Sequence, residues 1–153
     1  MKTAALLIAI LSFGSGCTPD CDNVYSYDPS DVSDVDTTAM KNAAEAIKHY
    51  INRDVQFRAM TKQSQCHITF HHNGEQIDGA EKTAGIRRQM TNNIEIESNN
   101  LVFTSLILSH EILHSFGLDH VDDPYSIMAF KTKYEASWSE FDKQECINAG
   151  VCK

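Results

Sequence analysis

Two hydrophobic periods alternate along this chain, and each change of period marks a new element. Across residues 36–52, Ala39, Ala43, Ala46, Ile47, Tyr50 and Ile51 recur at intervals of three and four, with lysine and glutamate between them. That is the apolar stripe of an amphipathic helix. Asp36 or Thr37 offers its N-cap, and His49 falls among its surface positions. Residues 55–60 and 66–72 then alternate with the period of strands. In the second of these, Cys66, Ile68 and Phe70 share one face, which leaves His67, His71 and their neighbours outward or at the strand end. Asn73-Gly74 signals a turn. Residues 74–83 read as a polar loop, followed by two short strands at 84–89 and 93–97.

Residues 101–116 read as a helix whose apolar residues, most of them core, are Leu101, Ile107, Leu108, Ile112, Leu113 and Phe116. Ser98, Asn99 and Asn100 precede it as capping residues. Ser137-Trp138-Ser139-Glu140 has the spacing of a capping box, so a last helix starts there, runs through Phe141 and Ile147, and ends by Gly150. Residues 18–35, rich in Asp, Ser, Thr and Pro, read as a tether that ends in a short strand near Tyr25 and Tyr27.

The first residues stand apart from this pattern. Lys2 supplies a positive start, residues 4–11 are apolar but too short to span a bilayer, and Gly14, Ser15 and Gly16 are small. Residues 1–16 therefore read as an export signal. Cys17, directly after the small residues, resembles the lipidated cysteine of bacterial lipoproteins. Cysteine arithmetic supports that reading, because five cysteines are odd for an exported chain. With Cys17 lipidated, Cys21, Cys66, Cys146 and Cys152 form an even set for two disulfides in an oxidising compartment. Three pairings are open, and plain secretion without a lipid stays an alternative. A free Cys21 thiol capping a metal is the rival to its disulfide.

At 153 residues the chain forms one folded domain, here 36–153, behind the signal and the 17–35 tether. Its formal charge of −8 argues against nucleic acid and anionic membrane surfaces as partners. Contact with a membrane is expected only through a lipid at Cys17, and the protein is expected to be an extracytoplasmic monomer.

Chemistry concentrates in His110-Glu111-Ile112-Leu113-His114-Ser115-Phe116-Gly117-Leu118-Asp119-His120. On a helix, His110 and His114 lie one turn apart on one face and can reach one metal ion. Glu111 stands beside that ion, where a carboxylate can take a proton from activated water. Gly117 can stop the helix with a left-handed residue, and the resulting bend can return His120 as a third ligand. Three neutral nitrogens suit Zn2+ and leave one position open, which is the catalytic arrangement. A bare His-Glu-x-x-His arises often by chance; the added glycine and third histidine make the pattern far more specific.

This extended pattern resembles the signature of metzincin zinc peptidases. Asp123-Pro124-Tyr125-Ser126-Ile127-Met128 is similar to a Met-turn, and its spacing after His120 is most like that of matrixins. The resemblance implies an α+β fold of the zincin type. Its parts would be a twisted, mostly parallel sheet with an antiparallel edge strand, a long helix packed with the zinc helix, the Met-turn and a C-terminal helix behind it. It also implies a zinc endopeptidase with His110, His114 and His120 as ligands, Glu111 as general base, and Met128 as the hydrophobic floor. The strand at 84–89 would border the cleft and pair with a peptide or protein substrate. Residues 131–134 would wall the primed-side pocket, with Tyr134 packed or pointing inward.

Two departures from the matrixin pattern stand out. Phe130 occupies the place where several metzincin groups carry a tyrosine, and no Pro-Arg-Cys-Gly switch is found in this sequence. The structural zinc and calcium loop of matrixins is not reproduced either, although His71-His72 and Asp78-Gly79 keep a second metal site open. Two other functions share these residues: a zinc amidase acting on cell-wall peptides, and a non-catalytic zinc- or peptide-binding lipoprotein on a peptidase fold.

Overall fold

The computed structural model describes residues 21, 23–60, 66–72, 77, 85–88, 93–98, 100–129 and 135–152. Residues 1–16 and Cys17 lie outside them, as do Phe130, residues 131–134 and Asp78-Gly79. In chain order the described elements are β1 (Val24–Tyr27), α1 (Asp34–Ile51), β2 (Gln56–Ala59), β3 (His67–His72), β4 (Gly85–Arg88), β5 (Asn93–Ser98), α2 (Leu101–Ser115) and α3 (Glu140–Asn148). The strands form one sheet in the order β2-β1-β3-β5-β4. β1 runs parallel to β2 and β3, β3 parallel to β5, and β4 antiparallel to β5.

The stretch expected as a tether with a short strand does hold a strand, β1. Val24–Tyr27 sits inside the sheet, between β2 and β3, with Tyr25 and Ser26 both buried. Its four residues alternate poorly, so the pattern gave a weak strand. The pairing that secures it is non-local, from Ser26 to His67 and from Tyr25 to Phe57. The disulfide Cys21–Cys66 ties the leading end of β1 to that of β3. With Cys21 so engaged, the idea of a free thiol capping a metal is overturned.

Helix α1 forms because Ala39, Met40, Ala43, Ile47 and Ile51 make one buried stripe. Its N-cap is Ser33, three residues earlier than the first candidate. Asp36, read as a cap, is instead the N3 partner of a capping box, where its carboxylate accepts from Ser33 N at 2.8 Å. Asp36 is fully buried and also accepts from the Ser98 hydroxyl, which ties the start of α1 to the end of β5.

α1 and α2 pack against each other, and α2 lies on β5 and β4. Side chains from both helices meet Ile68, Phe70, Ile94 and Ile96 of the sheet in one core. His67, expected outward or at the strand end, is the first residue of β3 and is buried, with its Nδ1 3.0 Å from the Ser26 hydroxyl. It lies beside Ser26 of β1, and that non-local pairing, which local alternation does not reveal, covers it.

The last helix starts two residues later than the capping box expected at Ser137. Ser139 is the N-cap and Asp142 the N3 partner. Ahead of it, Trp138 stacks on Tyr50 of α1 at 5.0 Å between centroids. The disulfide Cys146–Cys152 closes a short loop at the helix end.

Candidate metal centre

Asn100 caps α2, its side chain accepting from Phe103 N at 3.0 Å. Ile107, Leu108, Ile112 and Leu113 are the buried apolar residues that hold α2 in the core, and His110, Glu111 and His114 ride on its last turns. The helix then stops in a Schellman turn. Leu118 N reaches Leu113 O at 3.3 Å and Gly117 N reaches His114 O at 3.0 Å, with Gly117 at φ +93°. A residue with a side chain is strained in that left-handed conformation, which explains the glycine. Leu118, the next residue, is buried and anchors the bend.

The bend brings His120 back beside the helix. His114 Nε2 lies 3.0 Å from His110 Nε2 and 3.2 Å from His120 Nε2. All three ligand atoms lie within 4.8 Å of one another. Two nitrogens bound tetrahedrally to one zinc ion stand about 3.3 Å apart, since each Zn–N bond is about 2.0–2.1 Å. The spacing fits one shared ion. The rings of His110 and His114 are perpendicular, as are those of His114 and His120. Burial grades from His110, buried, through His114 to His120, exposed, so the cluster opens to solvent on one side.

The tautomers decide what these contacts are. His110 Nδ1 donates to Ile127 O at 2.6 Å, and His114 Nδ1 donates to Leu118 O at 2.7 Å. With each Nδ1 proton committed to a carbonyl, both Nε2 atoms present lone pairs to each other. Two facing lone pairs at 3.0 Å repel, and a cation between them removes the repulsion. Burial pushes the His110 pKa down to about 4, against the pull of the Ile127 carbonyl. Burial also lowers that of His120, partly offset by Asp119. Both changes favour the neutral, ligating form at ordinary pH.

The backbone carbonyl under His110 belongs to the turn expected as a Met-turn. Met128 is fully buried there, and Val121 N bonds Met128 O at 3.0 Å, so the turn folds back under the segment that carries His120. α3 holds this turn from behind. The buried carboxylate of Asp142 accepts from the Ser126 hydroxyl and from Met128 N at 3.2 Å through Oδ1, and from Ser139 N at 2.7 Å through Oδ2. Ser126 Oγ also accepts from Met128 N at 2.8 Å. A continuous chain of bonds therefore runs from α3 through Asp142 and the turn to Ile127 O and His110. The sequence reading missed Asp142, because an Asp in a polar helix start reads as a cap.

Glu111 is buried, with 6% of its surface exposed. The first residue of β4, Gly85, comes close to it, another contact the sequence reading missed. The second metal site left open at His71-His72 is not formed among the described residues. His71 Nε2 is 3.2 Å from Glu95, and His72 Nε2 is 3.4 Å from Asp36 and 3.1 Å from Asp31 O. Only His110, His114 and His120 converge there as a three-ligand group.

No family model matches the sequence, and no curated protein is significantly similar to it. Solved structures do match. Among them is metalloproteinase-II from Bacteroides fragilis, at a TM-score of 0.53 and 13% identity, covering 85% of this chain and 52% of that one. This chain shares its fold with a bacterial metalloproteinase. It spans about half the length of that protein, and at this identity the likeness is one of fold. What the likeness adds is context, since a three-histidine cluster able to hold a metal stands on a metalloproteinase-like fold. The two disulfides suit an oxidising compartment. Among the described residues, no helix is long and apolar enough to cross a membrane.

Proposed function

We propose that this protein is a zinc-dependent endopeptidase of the metzincin type. In this reading His110, His114 and His120 hold one zinc ion, Glu111 is the general base, and Met128 is the apolar floor. The observation that carries it is the convergence of three Nε2 atoms, two of them with their Nδ1 protons fixed on carbonyls. Such a donor set is neutral, preorganised and open on one side, which fits zinc and leaves room for a substrate. A bound zinc ion supplies a Lewis acid that acidifies water and polarises a carbonyl.

The chain's own groups do the rest. Glu111 follows His110 directly, so its carboxylate stands beside the cluster rather than in it. There it accepts the proton of the attacking water and returns it to the leaving amine. A buried carboxylate is a costly feature, and a protein that only binds metal or peptide has no use for it. β4 is the outermost strand on its side of the sheet. An extended peptide laid along it gains main-chain hydrogen bonds that are indifferent to sequence, and this suits an endopeptidase. The reading places the enzyme outside the cytoplasm, exported by residues 1–16 and anchored through a lipid on Cys17, as a monomer.

The test is the Glu111→Ala variant of the full chain, loaded with zinc and assayed on an unfolded protein such as casein. We expect one zinc ion retained, chelator-sensitive cleavage by the wild type, and a loss in the variant of at least about a hundredfold, as removal of a general base produces. Undiminished cleavage by the zinc-loaded variant would remove Glu111 from this role.

A further inference from the structure

Gly85 opens β4 and lies opposite Ile96 of β5. A Cβ built on it would stand 2.4 Å from Ile107 Cγ2, 3.2 Å from Ile96 Cδ1 and 3.2 Å from Glu111 Oε1. Its backbone is outside the left-handed region, unlike that of Gly117 and Gly150. Alanine could adopt the conformation, so what the site demands is space, not backbone freedom.

The space in question lies over one face of α2. Ile107 and Glu111 are successive turns of that face, four residues apart. Ile107 is buried and its Cγ2 is attached directly to a β-branched carbon, so it cannot swing aside without leaving its helix rotamer. At Gly85 the edge strand thus meets α2 through bare main chain, and part of what lies beside it there is the carboxylate of Glu111.

We propose that Gly85 is a positioning residue for Glu111. Lacking a side chain, it lets the main chain of β4 close against the carboxylate and restrict where it can point, while seating the sheet edge on α2. This rests on the reading of Glu111 as the general base. A purely structural role, in which Gly85 only makes room for Ile107, is the competing account.

Gly85→Ala, Glu111→Ala and the double variant separate the two, all in the full chain. Thermal unfolding of the metal-free proteins gives a cycle that needs no activity. Gly85→Ala should lower the midpoint less when residue 111 is alanine, because the contact at 3.2 Å has been removed while the clash at 2.4 Å persists. Equal losses in both backgrounds would overturn the inference whatever the enzyme does. With zinc loaded, Gly85→Ala should lower kcat between about tenfold and a hundredfold with KM little changed, the expected cost of displacing a reacting group. An unchanged kcat, or a change confined to KM, would also overturn it. Should Gly85→Ala fail to fold, Gly85→Ala/Ile107→Ala removes the worse clash and keeps the methyl beside Glu111. Its kcat should then fall below that of Ile107→Ala alone, and equal values count against the proposal. A wild type that cleaves nothing refutes the endopeptidase reading, while the unfolding cycle still decides where the carboxylate stands.

Discussion

Replacing Asp142 with alanine should weaken a metal centre that Asp142 does not touch. Its carboxylate accepts from the Ser126 hydroxyl, Met128 N and Ser139 N. Met128 N keeps a second acceptor in Ser126 Oγ at 2.8 Å, so two donors are orphaned, the Ser126 hydroxyl and Ser139 N. The Ser126 hydroxyl is buried and its orphaning costs about 1–3 kcal/mol, while Ser139 N is only part-buried and adds less. For a domain of this size each kcal/mol moves the melting midpoint by about 2–4 °C, so a fall of at least about 2 °C is expected. The loosened turn carries Ile127 O, the acceptor for His110 Nδ1 at 2.6 Å. Loss of such an outer partner typically reduces metal affinity by about 10–100-fold, and a weakened one should give the lower part of that range. Thermal unfolding of the metal-free protein and competition against a zinc chelator read the two effects separately. A lower midpoint with unchanged zinc affinity would refute the idea that the turn positions His110. An unchanged midpoint would refute the buried network itself.

Three further outcomes follow from the same structure. Replacing Cys21 and Cys66 by alanine opens a longer loop than replacing Cys146 and Cys152, with separations of 45 and 6 residues. Chain entropy then predicts losses of about 4 and about 2 kcal/mol, and denaturant titration would expose a reversed order. Burial holds the His110 pKa at about 4, below its ordinary 6.5. Protons therefore bind the unfolded chain first as pH falls, and the metal-free protein should lose stability steadily from about pH 6.5 down to about 4. Stability that stays flat across that window, followed by circular dichroism, would contradict it. Thr104 Oγ1 is buried and has no hydrogen-bond partner among the described residues, so Thr104→Val should leave the melting midpoint unchanged or raise it. A clear fall would reveal a hidden partner for that hydroxyl.

Much of the three-histidine cluster was legible because its determinants are local. Four-residue spacing on a helix, a glycine after it and a third histidine beyond the bend are all written within eleven residues of sequence. The helices at 36–52 and 101–116 were legible for the same reason, their periods being internal to each segment. What escaped depends on partners far away in the chain. β1 reads as no more than a short strand in a tether because the strand that pairs with Ser26 begins some forty residues later, at His67. Ser33 and Ser139 were passed over as caps because several serines, threonines and aspartates compete at each helix start, and only the fold chooses among them. Asp36, read as an N-cap, and Asp142, not singled out, are both buried hubs, since a capping box can be covered by whatever packs upon it. Gly85 carries no local signal at all. Its meaning comes from α2, and α2 reaches it only through the sheet.

The central claim is that three imidazoles and the adjacent carboxylate make a working peptidase centre. The most direct measurement is cleavage of a peptide library, read by mass spectrometry, as zinc is titrated into the metal-free full chain. The account predicts endoproteolytic products that rise with zinc, level off at one equivalent, and disappear both on chelation and in His120→Ala. Products that are independent of zinc, or that persist undiminished in His120→Ala, would contradict it.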